Sequence, residues 1–154
     1  LDYLSDKFGS NLNYVYPTNK AYEEHLSNAD IVIGSVLIPG ASAPKLVSRK
    51  MIGNMREGAV IADIAIDQGG CLETSKPTSH DEPTYIVDDV IHYCVANIPS
   101  AVPLTSTKAL SNSISPYVEI LAKTANPNDL VSKQHPLNSG VNIYNGEVCL
   151  NNLQ

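Results

Sequence analysis

The sequence predicts an α/β fold built on a doubly wound parallel sheet, and three observations carry that prediction. The stretches Ile31 to Ile38 and Val60 to Ile66 are too uniformly aliphatic for strands with one wet face, which suits strands buried on both sides of a parallel sheet. Each stops at a turn signal, Pro39-Gly40 and Gly69-Gly70. Between them, Leu46, Val47, Met51, Ile52 and Met55 recur at helical spacing, so strand, helix and strand alternate as in a right-handed βαβ unit.

The totals fit that class. At 154 residues, 43% hydrophobic and 17% charged, the chain has the composition of a globular protein with one ordinary domain or two partial ones. No apolar run reaches the roughly 18 residues of a membrane span, and the N-terminus has no signal-peptide pattern, so a cytoplasmic location without membrane contact is expected. The net charge of −6 and the scattered Lys and Arg argue against a nucleic-acid surface. Cys71, Cys94 and Cys149 are odd in number and lack a C-x-x-C pair, which points to reduced thiols. His92 and Cys94 alternate on one face of a predicted strand, but two ligands make no cluster, so no metal is expected.

Taken in order, Leu1 to Phe8 reads as the body of a helix with Leu1, Leu4 and Phe8 on one face and Gly9 as its cap. With no N-cap and no Met before it, this helix suggests a piece of something longer. Leu12, Tyr14 and Tyr16 alternate as in a short strand, and Asn19 is placed to cap a helix reaching about Asn28. Asp30 introduces the first central strand, and Pro44 to Met55 is the helix that follows, closed by Gly58. The Val60 strand leads to Asp67 and Gln68, then to the paired glycines. A polar loop, 73 to 83, carries Lys76, and Thr84 to Val87 and Ile91 to Ala96 read as short strands. Ser106 is expected to cap a long helix kinked at Pro116, and Asn145-Gly146 is a type I′ signal for a hairpin between 141–144 and 148–150. No internal repeat occurs.

In open α/β sheets, ligands bind beyond the carboxyl ends of the strands. Three such ends are predicted on one edge: Ser35 to Ile38, Ile64 to Gln68, and Val95 to Pro99. Their apolar side chains and backbone could hold a flat heteroaromatic ring, Asn97 could hydrogen-bond an amide or carbonyl, and Asp67 is the first candidate for chemistry. Pattern alone equally allows ordinary strand ends with turn-forming Asp and Asn, and a solvated loop charge at Lys76. The dinucleotide fingerprint G-x-G-x-x-G is absent.

Four stretches resemble the alanine dehydrogenase family: Val32 to Gly40, Ala43 to Val47, Asp63 to Cys71, and Tyr93 to Pro99. The related proton-pumping nicotinamide nucleotide transhydrogenase shares the L-I-P-G and A-P-K-L runs but not the Ile66-Asp67-Gln68-Gly69-Gly70-Cys71 segment, which favours the dehydrogenase. The resemblance implies a Rossmann-type fold with residues 1 to about 103 as the second half of an NAD-binding domain. It makes about 104 to 154 a helix returning into a second α/β substrate domain. It implies NAD as cofactor and the reversible oxidative deamination of L-alanine to pyruvate and ammonia. It also implies a homo-hexamer and, for the 154-residue segment alone, little or no activity.

By the same resemblance, Asp67 is catalytic, and the NAD contacts fall on Val36, Leu37, Ile64, Ala65, Ile66, Asp67, Lys76, Val95, Ala96, Asn97 and Ile98. Lys76 stands where Arg is the familiar occupant, which turns a bidentate contact into a single one. Pro17 falls about where the family has a serine near the adenosine, and none of the four histidines aligns with the family's catalytic one. The alternative expectation is a non-catalytic chain, one that binds a nucleotide weakly or completes its fold on a partner, because half a doubly wound sheet leaves a strand edge open, or a transhydrogenase-like NAD(H)-binding domain.

Overall fold

A computed structural model describes residues 1–132 and 135–149. Contacts divide the chain into two compact units, Leu1–Leu37 with Ala43–Ala96, and Ile38–Ser42 with Asn97–Gln154.

The first unit is built on a four-stranded sheet whose strands are β1 (Ile31–Gly34), β2 (Val60–Asp63), β3 (Thr84–Val87) and β4 (Val90–Tyr93), in the order β1-β2-β4-β3. β1, β2 and β4 are parallel, with Ile31 opposite Val60 and Val60 opposite Ile91, as the alternating pattern predicts. β3 runs antiparallel to β4 through a two-residue turn in which Asp88 and Asp89 both take positive φ, 50° and 62°, the twist a tight hairpin needs.

Side chains alternate across this sheet. Ile61, Asp63, Val90 and His92 point to a buried face, where Ile61, Val90, Ile52 and Leu72 are fully enclosed. The other face presents Ile31, Ile33 and Ile86, each more than 60% exposed. Among the described residues β1 lies at the edge of the sheet and not at its centre as its aliphatic run suggests, and its regular pairing ends at Gly34, well short of Ile38.

Three helices accompany the sheet: α1 (Asp2–Phe8), α2 (Asn19–Leu26) and α3 (Arg49–Ile52). Gly9 closes α1 with φ 76°, as expected, although no residue of that helix is buried. Thr18, not Asn19, caps α2: its Oγ1 accepts the amide of Ala21 at 3.2 Å. The residues 12 to 16 make no strand. The helix expected from Pro44 shrinks to the four residues of α3, capped by Ser48. The reason is tertiary: Ala43 to Val47 is extended, and its amides pair with a distant loop, Ala43 to the Gln68 carbonyl and Leu46 to that of Cys71, both at 2.8 Å.

In the second unit, α4 (Pro103–Lys123) runs through Pro116, starting earlier than a Ser106 cap would allow; the Ser106 hydroxyl instead donates to the Pro99 carbonyl at 2.7 Å. Leu110, Ile114, Tyr117, Val118 and Leu121 form an exposed stripe along it. β5 (Ile143–Tyr144) and β6 (Glu147–Val148) make the expected hairpin, with Asn145 and Gly146 at φ 51° and 83°. Leu150, the predicted end of that hairpin, lies outside the described residues.

Candidate functional site

The site grows from the end of β2. The strand stops at Asp63, whose side chain is fully buried, and Ile64–Gln68 follows as a single stretch of 3-10 helix. Asp67 is consequently not the last residue of a strand, as its place in the aliphatic run suggests, but is carried outward on that turn and is exposed.

Asp63 is the anchor. Its Oδ1 accepts the amide of Ala65 at 3.1 Å, and its Oδ2 accepts the amide of Cys71 at 2.9 Å and the hydroxyl of Ser75 at 2.6 Å. The Cys71 thiol also donates to Oδ1 at 3.5 Å. A carboxylate so deeply buried is tolerable only because donors converge on it. Gly69 and Gly70, at φ 93° and 74°, fold the chain back so that Cys71 can reach the same carboxylate that caps the turn. Asp63 thus fixes both ends of the segment that carries Asp67. Burial and the neighbouring carboxylate push the Cys71 thiol up to about 11, so it sits there as a neutral donor.

Beyond the strand ends lies a shallow cleft of about 250 Å³. Ser35, Val36 and Leu37 form one wall, continuing from β1, and Ile64, Ala65, Asp67 and Gln68 form the other. Of the residues predicted to bind the cofactor, Val36, Leu37, Ile64, Ala65 and Asp67 are brought together here. Ile66 is buried in the core beneath, and Lys76 is exposed on the loop and does not line this cleft; its amide donates to the Tyr85 hydroxyl at 2.8 Å. Val95 is fully buried and pairs with Thr78, whose carbonyl accepts the Ala96 amide at 3.1 Å. Asn97, at φ 53°, and Ile98 open the second unit, where Ile98–Ala101 is a 3-10 turn. His92 and Cys94 are both buried and engaged, His92 with the Thr74 hydroxyl at 2.8 Å and the Val90 carbonyl at 3.0 Å, Cys94 with the Tyr85 hydroxyl at 3.3 Å.

The cleft can take one end of a larger molecule. Pockets for whole ligands run to roughly 300–1,000 Å³, so this one suits a single ring and its substituent. Its apolar walls suit a ring face, and Gln68 adds a polar feature: Oε1 is buried without a hydrogen-bond partner among the described residues. A buried amide oxygen with no partner, on a residue that lines the cleft, is a candidate acceptor for a ligand donor such as the N–H of a carboxamide once the Gln68 side chain turns outward. These residues therefore fit the nicotinamide end of a dinucleotide.

Comparison with known proteins places the chain. The family description "Alanine dehydrogenase/PNT, C-terminal domain" matches residues 1–151. An alanine dehydrogenase of Halomonas elongata is 48% identical over 148 residues, 96% of this chain and 40% of that protein. One from Mycolicibacterium smegmatis is 57% identical over 119 residues, covering 77% of this chain and 32% of its own length. Among solved structures, an L-alanine dehydrogenase superposes with a TM-score of 0.78 at 44% identity, over 96% of this chain and 40% of that one. A transhydrogenase from Sinorhizobium meliloti gives 0.60 at 26% identity, over 69% and 31%. The chain thus spans about two fifths of the length of the alanine dehydrogenase from Halomonas. With a family match over residues 1–151, the chain belongs to the alanine dehydrogenase/PNT family, in the part described as its C-terminal domain.

Proposed function

We propose that this chain supplies the nicotinamide side of an NAD-dependent alanine dehydrogenase, which converts L-alanine to pyruvate and ammonia and back. The single observation that carries the reading is the cleft beyond β1 and β2, where an exposed carboxylate, Asp67, stands among apolar walls beside Gln68, whose buried Oε1 has no hydrogen-bond partner among the described residues. In this reading Val36, Leu37, Ile64 and Ala65 hold the ring by its faces and edges, and Ile66 supports them from the core. The family resemblance also implies cofactor contacts from Val95, Ala96, Asn97, Ile98 and Lys76, none of which lines this cleft. NAD held by these residues would supply the acceptor for the hydride that leaves the amino-acid Cα. Asp67 takes a proton from the water that adds at Cα and returns it to the nitrogen that leaves as ammonia, work for which a carboxylate in hydrogen-bond reach is suited.

Residues 1 to about 103 are read as half of the NAD domain and 104 to 154 as part of the substrate domain. A cytoplasmic homo-hexamer is the assembly the resemblance implies. The chain spans 40% of the Halomonas relative's length, and the resemblance implies that the substrate-side groups lie in the remainder. The test is NADH formation from L-alanine and NAD, followed by absorbance, for this chain alone and for the same chain joined to the uncovered portion of the Halomonas relative. Turnover in the joined form that Asp67→Asn lowers by roughly 100-fold or more is expected. A joined, folded protein that oxidises L-alanine equally well with Asp67→Asn would sink the reading. The second reading, a non-catalytic chain that completes its fold on a partner, is favoured by the exposed Ile31, Ile33 and Ile86 on one sheet face.

A further inference from the structure

The carbonyls of Gln68, Gly69, Gly70 and Cys71 are four in a row, and each is taken up by the extended segment Ala43 to Val47. The Ala43 amide donates to Gln68 and the Leu46 amide to Cys71, both at 2.8 Å. The two glycine carbonyls between them face no amide of that segment. They are held instead by one side chain: the Lys45 ammonium donates to the Gly69 carbonyl at 2.6 Å and to the Gly70 carbonyl at 2.8 Å. An ammonium between two carbonyl oxygens makes charge-assisted bonds, stronger than those between neutral groups. It stands where the backbone runs through two consecutive left-handed residues, φ 93° and 74°, the part of the segment most able to change its path.

We infer that Lys45 is a positioning residue for the reaction: by clamping the Gly69 and Gly70 carbonyls, it fixes the path of the chain just after Asp67 and so where that carboxylate stands at the cleft. Asp63 holds the same segment from the buried side through the amides of Ala65 and Cys71. Lys45 closes it from the solvent side, and the two groups bracket the turn. This rests on the reading of Asp67 as the catalytic group.

Amide exchange in the 154-residue chain tests the clamp without reference to activity. In Lys45→Met, the amides of Gly69, Gly70 and Cys71 should exchange roughly tenfold faster, while those of Ile61 and Ala62 in β2 keep their rates. In Lys45→Arg, whose forked donors can span two oxygens, protection should return at least in part. Unchanged exchange at the three amides, or an equal rise in β2, overturns the clamp whatever the reaction proves to be. In the joined enzyme described above, Lys45→Met should lower kcat roughly 10- to 100-fold with KM for L-alanine within about threefold, and Lys45→Arg should recover part of it. Faster exchange with kcat unmoved overturns the positioning role. An unsubstituted joined enzyme that folds but never turns over L-alanine counts against the dehydrogenase reading, and the exchange result then stands by itself.

Discussion

Cys71 shows how one buried carboxylate sets the chemistry of its neighbour. Its thiol is buried, donates to Asp63, and is held at about 11 by burial first and by the Asp63 charge second, against an ordinary 9.0. Cys94 is pushed up as well, again chiefly by burial. Both should therefore resist a thiol reagent at pH about 8, where only about one part in a thousand of a thiol titrating near 11 is thiolate, whereas the exposed Cys149 reacts at once. Counting one fast thiol in the native chain and three after unfolding checks this; a fast Cys71 would show that the Asp63 knot is open. The same shift has a sign in stability. Above the unfolded value of 9.0 the unfolded state releases this proton and the folded state keeps it, so stability from Cys71 is full below that pH and falls as pH rises toward 11. Between pH about 8.5 and 10.5, urea unfolding should show the wild type losing roughly 1–2 kcal/mol more than Cys71→Ser, which has no such proton to lose.

At the scale of the element, the turn after β2 depends on two glycines that are not equivalent. A Cβ at Gly69 would meet nothing within 4 Å, and its cost is that of φ 93° alone. A Cβ at Gly70 would drive into the Ser75 side chain and lie 2.6 Å from Asp63 Oδ2, at the centre of the buried network. Gly69→Ala should thus cost roughly 1 kcal/mol, and Gly70→Ala roughly 3 kcal/mol or more, with the Cys71 thiol becoming accessible only in the latter. Equal losses in a denaturant melt would show that packing around Asp63 is not what the second glycine serves. The sequence makes this turn legible as a stop in an aliphatic run followed by Gly-Gly. It does not show which of two carboxylates four residues apart is buried, because that depends on Cys71 and Ser75 returning to Asp63 across the fold-back. Likewise Leu46, Val47, Met51, Ile52 and Met55 carry helical spacing, yet the first two lie on an extended segment, because the loop at Gln68 to Glu73 offers partners no local pattern reveals. The role of Lys45 is not legible in the sequence for the same reason: its partners lie 24 and 25 residues away. By contrast, the hairpin at Asn145-Gly146 was fully local, and it is where the pattern put it.

For the molecule as a whole, the sheet of the first unit has two unlike faces. One packs Ile61 and Val90 into the core; the other shows Ile31, Ile33 and Ile86 to solvent, and β1 is an edge whose outer backbone groups have no strand beside them among the described residues. An apolar face running to an open edge is a template for pairing, and neither a charge nor a proline within Ile31–Gly34 blunts it. The occupant available in a solution of the isolated chain is a second copy, adding its own β1 alongside. The 16.5 kDa chain should therefore sediment as a concentration-dependent dimer or larger species. Substituting Ile31→Lys and Ile33→Lys together should return it to monomer with an unchanged far-UV spectrum, since both side chains are already in solvent and their loss leaves the core intact. A wild-type chain that stays monomeric at high concentration would mean the exposed face is stable in water, and the partner-completed reading would lose its only support.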